Sequence, residues 1–210
     1  MRNVGLLGCI AVLILVVVIF GAFFVNVRNN LVGLEEKVNE QWAQVQSQYQ
    51  RRFDLIPNLV RTVEGAANFE KSTLEAVVNA RARVGQVAAP AGPPGAGADI
   101  PGNEAAFRQF EAAQQGLSNA LSRLLVVVER YPELKANQNF LELQSQLEGT
   151  ENRITVARGR YNERIQEYNT TRRRFPSNMT AKIFGFEEYP YFEAPTDAQQ
   201  APKVDFGKGR

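Results

Sequence analysis

The sequence predicts an all-α protein in which an N-terminal transmembrane helix continues into an elongated antiparallel up-and-down four-helix bundle. Three observations predict it. From Val4 to Val25 every residue is apolar, Gly or Cys, and a bilayer core needs about 20 such residues to be crossed by a helix. Downstream, apolar residues recur in steps of three and four, the spacing that keeps one helix face apolar. The periodic stretches are separated by clusters of Gly, Asn and Pro, which stop helices.

Residues 1–27 form the anchor, with Arg2 before the apolar run and Arg28 after it. A cleaved signal peptide is the rival, but its apolar region is usually only about 7 to 15 residues. A second rival is lipidation, since Leu6-Leu7-Gly8-Cys9 has the look of a lipoprotein site; the strongest apolar residues, however, follow Cys9.

Residues 28–176 form the bundle. The first helix, about 28–65, carries Leu31, Leu34, Val38, Trp42, Val45 and Tyr49 on one face. Pro57 either kinks this helix or sits in the first turn of a new one capped by Asp54; a kink is expected, because Leu59, Val60 and Val63 carry the pattern onward. Gly65 to Asn68 reads as a reversal with Asn68 as a cap, leading into a helix at about 69–87 with Leu74, Val77, Val78 and Val84. The stretch 88–102, AAPAGPPGAGADIPG, reads as a flexible Pro/Gly loop. Asn103 caps a third helix, about 103–130, with Phe107, Phe110, Leu117, Leu121, Leu124 and Val128, stopped by Tyr131-Pro132. Asn139 followed by Glu142 is a capping-box pattern opening a fourth, about 139–175. Its series is Phe140, Leu143, Leu147, Ile154, Ala157, Tyr161, Ile165, Tyr168 and Phe175. Residues 177–210 are a tail, aromatic and then disordered. Four such stripes hide from water only against one another, and every stripe residue is read as core.

Composition narrows the chemistry. A net charge of +2 over 210 residues gives no basic footprint of a nucleic-acid binder. There is no histidine, and Cys9 is the sole cysteine, which removes Ser-His-Asp triads, His-paired thiolates, Glu-x-x-His di-metal sites and zinc centres. No catalytic, cofactor-binding or metal-ligating residues are therefore assigned, and no small-molecule substrate is expected. The carboxylates Glu148 and Glu151, at helical i, i+3 spacing near the seam, are the one acid pair worth naming; ion pairing with Arg51 and Arg52 of the first helix accounts for them more simply.

Several runs together resemble the LemA family of bacterial membrane-anchored proteins. They are Val38-Asn39-Glu40-Gln41-Trp42 with Gln46, Gln48-Tyr49-Gln50-Arg51-Arg52, Asp54 to Val60, Leu74-Glu75-Ala76-Val77 and Ala80-Arg81-Ala82. Tyr131 to Asn137, Leu147 to Ile154, Tyr161-Asn162 and Gly185-Phe186 extend the likeness. The resemblance spans about Leu31 to Phe192 and implies an N-terminal membrane helix, a LemA-like, bromodomain-like bundle and a bacterial inner membrane as location. It implies no activity and carries over no catalytic residue.

At about 1.5 Å per residue the first helix beyond the membrane spans about 57 Å and the fourth about 54 Å, so the fourth returns to the lipid headgroups. Arg172, Arg173 and Arg174 sit at that returning end, followed by Phe184, Phe186, Tyr189, Tyr191 and Phe192. Two readings stay open. Either this cluster touches the bilayer, as arginines and interfacial rings do, or the arginines complement the helix dipole while the rings fold back onto the bundle. Arg2 and the amino terminus compete with Arg28 and Lys37; the very short N-terminal flank is easy to leave inside, which favours an N-in anchor with the bundle outside the cytoplasm, while Arg172 to Arg174, if they lie at the bilayer, argue the other way. Asn169-Thr170-Thr171 and Asn178-Met179-Thr180 match a glycosylation acceptor pattern of low specificity. The expected role is a non-catalytic membrane-anchored scaffold or adaptor; the alternatives are an accessory subunit of a membrane protease or transporter complex, and a carboxylate-based enzyme. The expected partners are the bilayer, other membrane proteins and copies of itself. Self-association would use the bundle, since Gly5, Gly8, Ala11, Gly21 and Ala22 include no two small residues four apart.

Overall fold

A computed structural model describes residues 2–65, 69–88 and 100–193, with side chains at 11–65, 69–87 and 100–193. Helix α1 (Arg2–Glu64) runs from the apolar leader to the far end of the bundle. It is followed by α2 (Lys71–Ala88), α3 (Glu104–Val128), the single turn α4 (Pro132–Lys135), α5 (Gln138–Arg173) and α6 (Ser177–Phe184). The side chains of Val12 to Phe20 and of Val25 face outward along α1. Leu31 is the first residue of α1 to be fully buried among the described side chains.

Pro57 does not restart the helix. Proline has no N–H, so the carbonyl four residues back, that of Phe53, loses its helical donor. Arg81 of α2 supplies the replacement: its Nε donates to the Phe53 carbonyl at 3.3 Å, and its guanidinium lies 3.8 Å over the Phe53 ring. One residue of α2 thus repairs the ladder of α1 and fixes the crossing of the two helices.

The direction of each helix follows from its contacts. Trp42 meets Tyr161 while Arg52 meets Glu151, so α1 and α5 are antiparallel. Trp42 meets Phe107 while Arg52 meets Ser118, so α1 and α3 are parallel. Phe69 meets Tyr131 at one end of the α2–α3 pair, and α2 and α3 run side by side. The result is the up-down-up-down bundle.

Two buried clusters fill the seam. The one nearer the apolar leader is aromatic, built on Trp42, Tyr49, Phe107, Phe110, Tyr161 and Tyr168. The distal one is aliphatic, with Ile56, Leu59, Val63, Val77, Leu117, Leu124 and Leu147. Asn103 caps α3, accepting from the Ala106 N–H at 3.0 Å.

Some expectations need correction. The cap of α5 is Asn137, whose Oδ1 accepts from Asn139 and Phe140 N–H at 2.9 and 3.2 Å; the intervening turn α4 begins at Pro132 and brings Asn137, not Asn139, to the helix start. Phe175, expected on the α5 stripe, lies beyond its last residue and is 81% exposed. Val78 faces solvent rather than the seam. The aromatic part of the tail is folded: α6 occupies Ser177–Phe184, the left-handed Gly185 (φ 73°) ends it, and residues 186–193 follow as an extended strap. Asn68 and most of the 88–102 loop lie outside the described residues, as does the chain beyond Glu193.

Candidate functional site

Read in steps of three and four, the stripe of α1 passes Tyr49, Arg52 and Ile56, so an arginine occupies a core position. Gln114 of α3 and Thr150 of α5 occupy the corresponding positions, and all three are buried. Together they form a polar layer between the aromatic and aliphatic clusters. Arg52 is 2% exposed. Its Nη1 donates to Ser118 Oγ and to Glu151 Oε2, each at 2.8 Å, and its Nη2 to the side-chain and backbone oxygens of Gln114. Nε is buried without a hydrogen-bond partner. Isolated buried charge costs several kcal/mol, and the polar layer exists to offset that cost. The pairing expected of the acid pair is resolved residue by residue: Glu151 takes Arg52, Glu148 accepts from Gln144 at 2.9 Å, and Arg51 is exposed. Tyr49 covers the layer with its ring 5.2 Å from the Arg52 guanidinium; burial pushes its phenol up, against the opposing pull of Arg158 and Arg52.

Beside the layer, a cleft of about 520 Å³ opens between α3 and α5. Its rim is an ion network: Arg158 bonds Glu111 at 3.1 Å, Arg108 bonds Glu111 at 3.3 Å, and Arg108 bonds Glu193 of the strap at 2.7 Å. Each cation there is already matched by carboxylates, so the cleft is a tie between α3, α5 and the strap.

The strap is gripped along α5 by a ladder of side chains. Asn162 exchanges both amide hydrogen bonds with the backbone of Phe192 at 2.9 and 3.0 Å, and Asn169 does the same with Tyr189 at 3.0 and 3.2 Å. The spacing suits the two geometries: seven residues of helix rise about 10.5 Å, and three residues of extended chain cover about 10 Å. Pro190, which has no N–H to give, falls between the clamps. Below them Arg172 Nε donates to the Phe186 carbonyl at 2.8 Å and the Tyr168 hydroxyl to that of Glu187 at 3.0 Å. Burial, with Glu35 adding to it, pushes the Tyr168 phenol up to about 12. Asn169, one of the two acceptor-pattern asparagines, is fully buried in this grip and has no surface to modify.

The residues expected at the membrane therefore separate. Tyr189 and Phe192 are buried in the aromatic cluster, where Phe192 lies 4.7 Å from Phe107; Phe186 and Tyr191 pack against its edge. Arg172 is committed to the strap, also pairing with Glu188 at 3.4 Å. Arg173, Arg174 and Phe184 keep exposed faces at the end of α5 and on α6. Phe184 lies next to the leader, since the guanidinium of Arg28 stands 5.5 Å over its ring.

A family model described as the LemA family matches residues 41–206, a span that takes in the polar layer, the ladder of α5 and the strap. Magnetosome protein MamQ 2 of Paramagnetospirillum magneticum (strain AMB-1) is 29% identical over 190 residues, covering 86% of this chain and 70% of that protein. Magnetosome protein MamQ of Magnetospirillum gryphiswaldense (strain MSR-1) is 26% identical over 193 residues, covering 87% of this chain and 71% of that protein.

Proposed function

Because the chain belongs to the LemA family, we propose that it is a non-catalytic, membrane-anchored scaffold or adaptor of that type, holding a rigid helical bundle at the surface of a bacterial inner membrane. The observation that carries this reading is α1. A single helix supplies both a segment long and apolar enough to cross a bilayer and the spine of the bundle. The charged groups of the seam and cleft support a structural role, since Arg52, Arg158 and Arg108 each face a carboxylate at hydrogen-bonding distance.

The partners in this reading are the bilayer and other membrane proteins or further copies of the chain, with the amino terminus in the cytoplasm and the bundle outside it. Alkaline carbonate extraction tests the anchor: the full chain stays with the membrane pellet, and its release into the wash would overturn the reading. Maleimide labelling of Val126→Cys in intact cells, at a position 71% exposed, reads the side; labelling only after lysis would place the bundle inside. Capture from detergent extracts followed by mass spectrometry separates the partner classes. Recovery of one membrane protease or transporter in fixed proportion would replace the scaffold by an accessory subunit.

A further inference from the structure

Helix α6 packs on α1 and α5, beside the point where the apolar leader gives way to the buried seam. Its inward face is small, with Thr180 and Ala181 buried. Its outward face is not what water favours: Met179 is 50% exposed, Ile183 67% and Phe184 50%, and Phe175 just before it is more exposed still. Isolated exposed apolar residues are ordinary, but four large ones gathered at one end of a bundle are an interaction surface. Arg173, Arg174 and Lys182 are exposed around them, and Arg28 stacks on Phe184.

The position of this surface selects its occupant. The uninterrupted apolar run ends at Val25, and Arg28 follows within about 4.5 Å of helix rise. Phe184, against Arg28, therefore sits at the level where the chain leaves the hydrocarbon. A face of aromatic and aliphatic side chains rimmed by Arg and Lys at that height matches the pattern of helices that lie in the headgroup region. We propose that α6 is a lipid-facing foot: Phe175, Met179, Ile183 and Phe184 enter the headgroup boundary of the leaflet from which the bundle rises, and Arg28, Arg173, Arg174 and Lys182 bind its anionic headgroups. The inference rests on the membrane anchoring proposed above. It moves the lipid contact away from Tyr189 and Phe192, which the core already holds, and onto a helix whose large apolar residues Met179, Ile183 and Phe184 stay half or more exposed.

The test uses the full chain with Cys9→Ser, reconstituted into vesicles of phosphatidylcholine and phosphatidylglycerol that contain lipids carrying a shallow or a deep nitroxide. Single cysteines bearing an environment-sensitive fluorophore are placed at Ile183, at Val17 in the leader and at Val126 on α3. The Ile183 label is expected to be quenched by the shallow nitroxide, at a depth of about 5 to 10 Å into the headgroup boundary, while the Val126 label stays in water. Arg173→Gln with Arg174→Gln and Lys182→Gln is expected to reduce that quenching, and lowering the phosphatidylglycerol fraction to do the same. An Ile183 label as dry as expected but unaffected by either nitroxide, and quenched instead by a second labelled copy, would overturn the foot in favour of a protein contact. An Ile183 label as wet as that at Val126 would overturn it outright. Loss of deep quenching at Val17 marks failure of the anchor itself, so the two proposals fail separately.

Discussion

Replacing Glu151 by Ala removes the one carboxylate that, among the described residues, is bonded to the Arg52 guanidinium, which is 2% exposed, while the carboxylate itself is 52% exposed. The loss of a hydrogen bond to a charged group costs about 1.5 to 3 kcal/mol. Breaking a fully buried pair costs about 3 to 5 kcal/mol because the surviving charge is stranded. Here water reaches Arg52 through the space Glu151 leaves, and Ser118 and Gln114 keep their bonds, so Glu151→Ala is expected to lose about 2 kcal/mol. Arg52→Met behaves differently. It keeps the volume of the stem beside Tyr49 and deletes the buried charge together with its desolvation cost, but takes from the buried Gln114 Oε1 the guanidinium donor it bonds, so it is expected to cost about 1 to 2 kcal/mol, no more than Glu151→Ala. With Met at 52, removing Glu151 becomes nearly silent, giving a coupling of about 2 kcal/mol in the double-mutant cycle. Guanidinium unfolding of the full chain in detergent, followed by the emission of Trp42, measures all four species; Trp42 is the sole tryptophan and packs on Phe107, Phe110, Tyr161 and Phe192. If Arg52→Met proves more damaging than Glu151→Ala, the polar layer is a source of net stability and the desolvation reasoning is wrong.

Asn169→Ala removes the two hydrogen bonds that the side-chain amide makes to the N–H and carbonyl of Tyr189 and is expected to weaken strap docking by about 2 to 4 kcal/mol; unchanged hydrogen-exchange protection at Tyr189 would contradict the clamp. Tyr168 holds its proton more tightly folded than unfolded, so its contribution is whole below pH about 10 and fades as pH climbs toward about 12. About 2 to 3 kcal/mol should be lost over that window, and the loss should be missing from the pH–stability curve of Tyr168→Phe. Arg81→Met strands the Phe53 carbonyl and should cost about 1 to 2 kcal/mol in chemical unfolding. The same change in a Pro57→Ala background, where the residue at 57 regains an N–H for that carbonyl, should cost much less.

The stripes of the four long helices were readable because burial imposes a period on the chain itself. The same spacing held Arg52: a charged residue stepping in register between Tyr49 and Ile56 is visible without coordinates, and so was its pairing with a glutamate of the fourth helix. The α5 cap was misplaced by two residues because Asn137 and Asn139 are equally good acceptors, and only the turn at Pro132 decides between them. Asn162 and Asn169 gave no warning, since an amide that grips backbone 20 or 30 residues away leaves no local pattern. The aromatics after Arg174 were ambiguous for a plain reason: lipid and protein interior reward the same side chains. The separation of Tyr189 and Phe192 from Phe184 came from the bend at Gly185, which sends the chain back up the bundle.

Helix α1 has no joint between membrane and seam, so it acts as a shaft. Adding one residue between Val25 and Leu31 would turn everything beyond it by about 100° and lift it by about 1.5 Å, and no loop is present there to absorb the change. A neighbour that tilts or twists the buried end would turn the water-borne end with it, even at the distance of the Pro57 crossing. The length of that short run of α1 therefore sets both the bearing and the height at which the bundle meets whatever stands beside it.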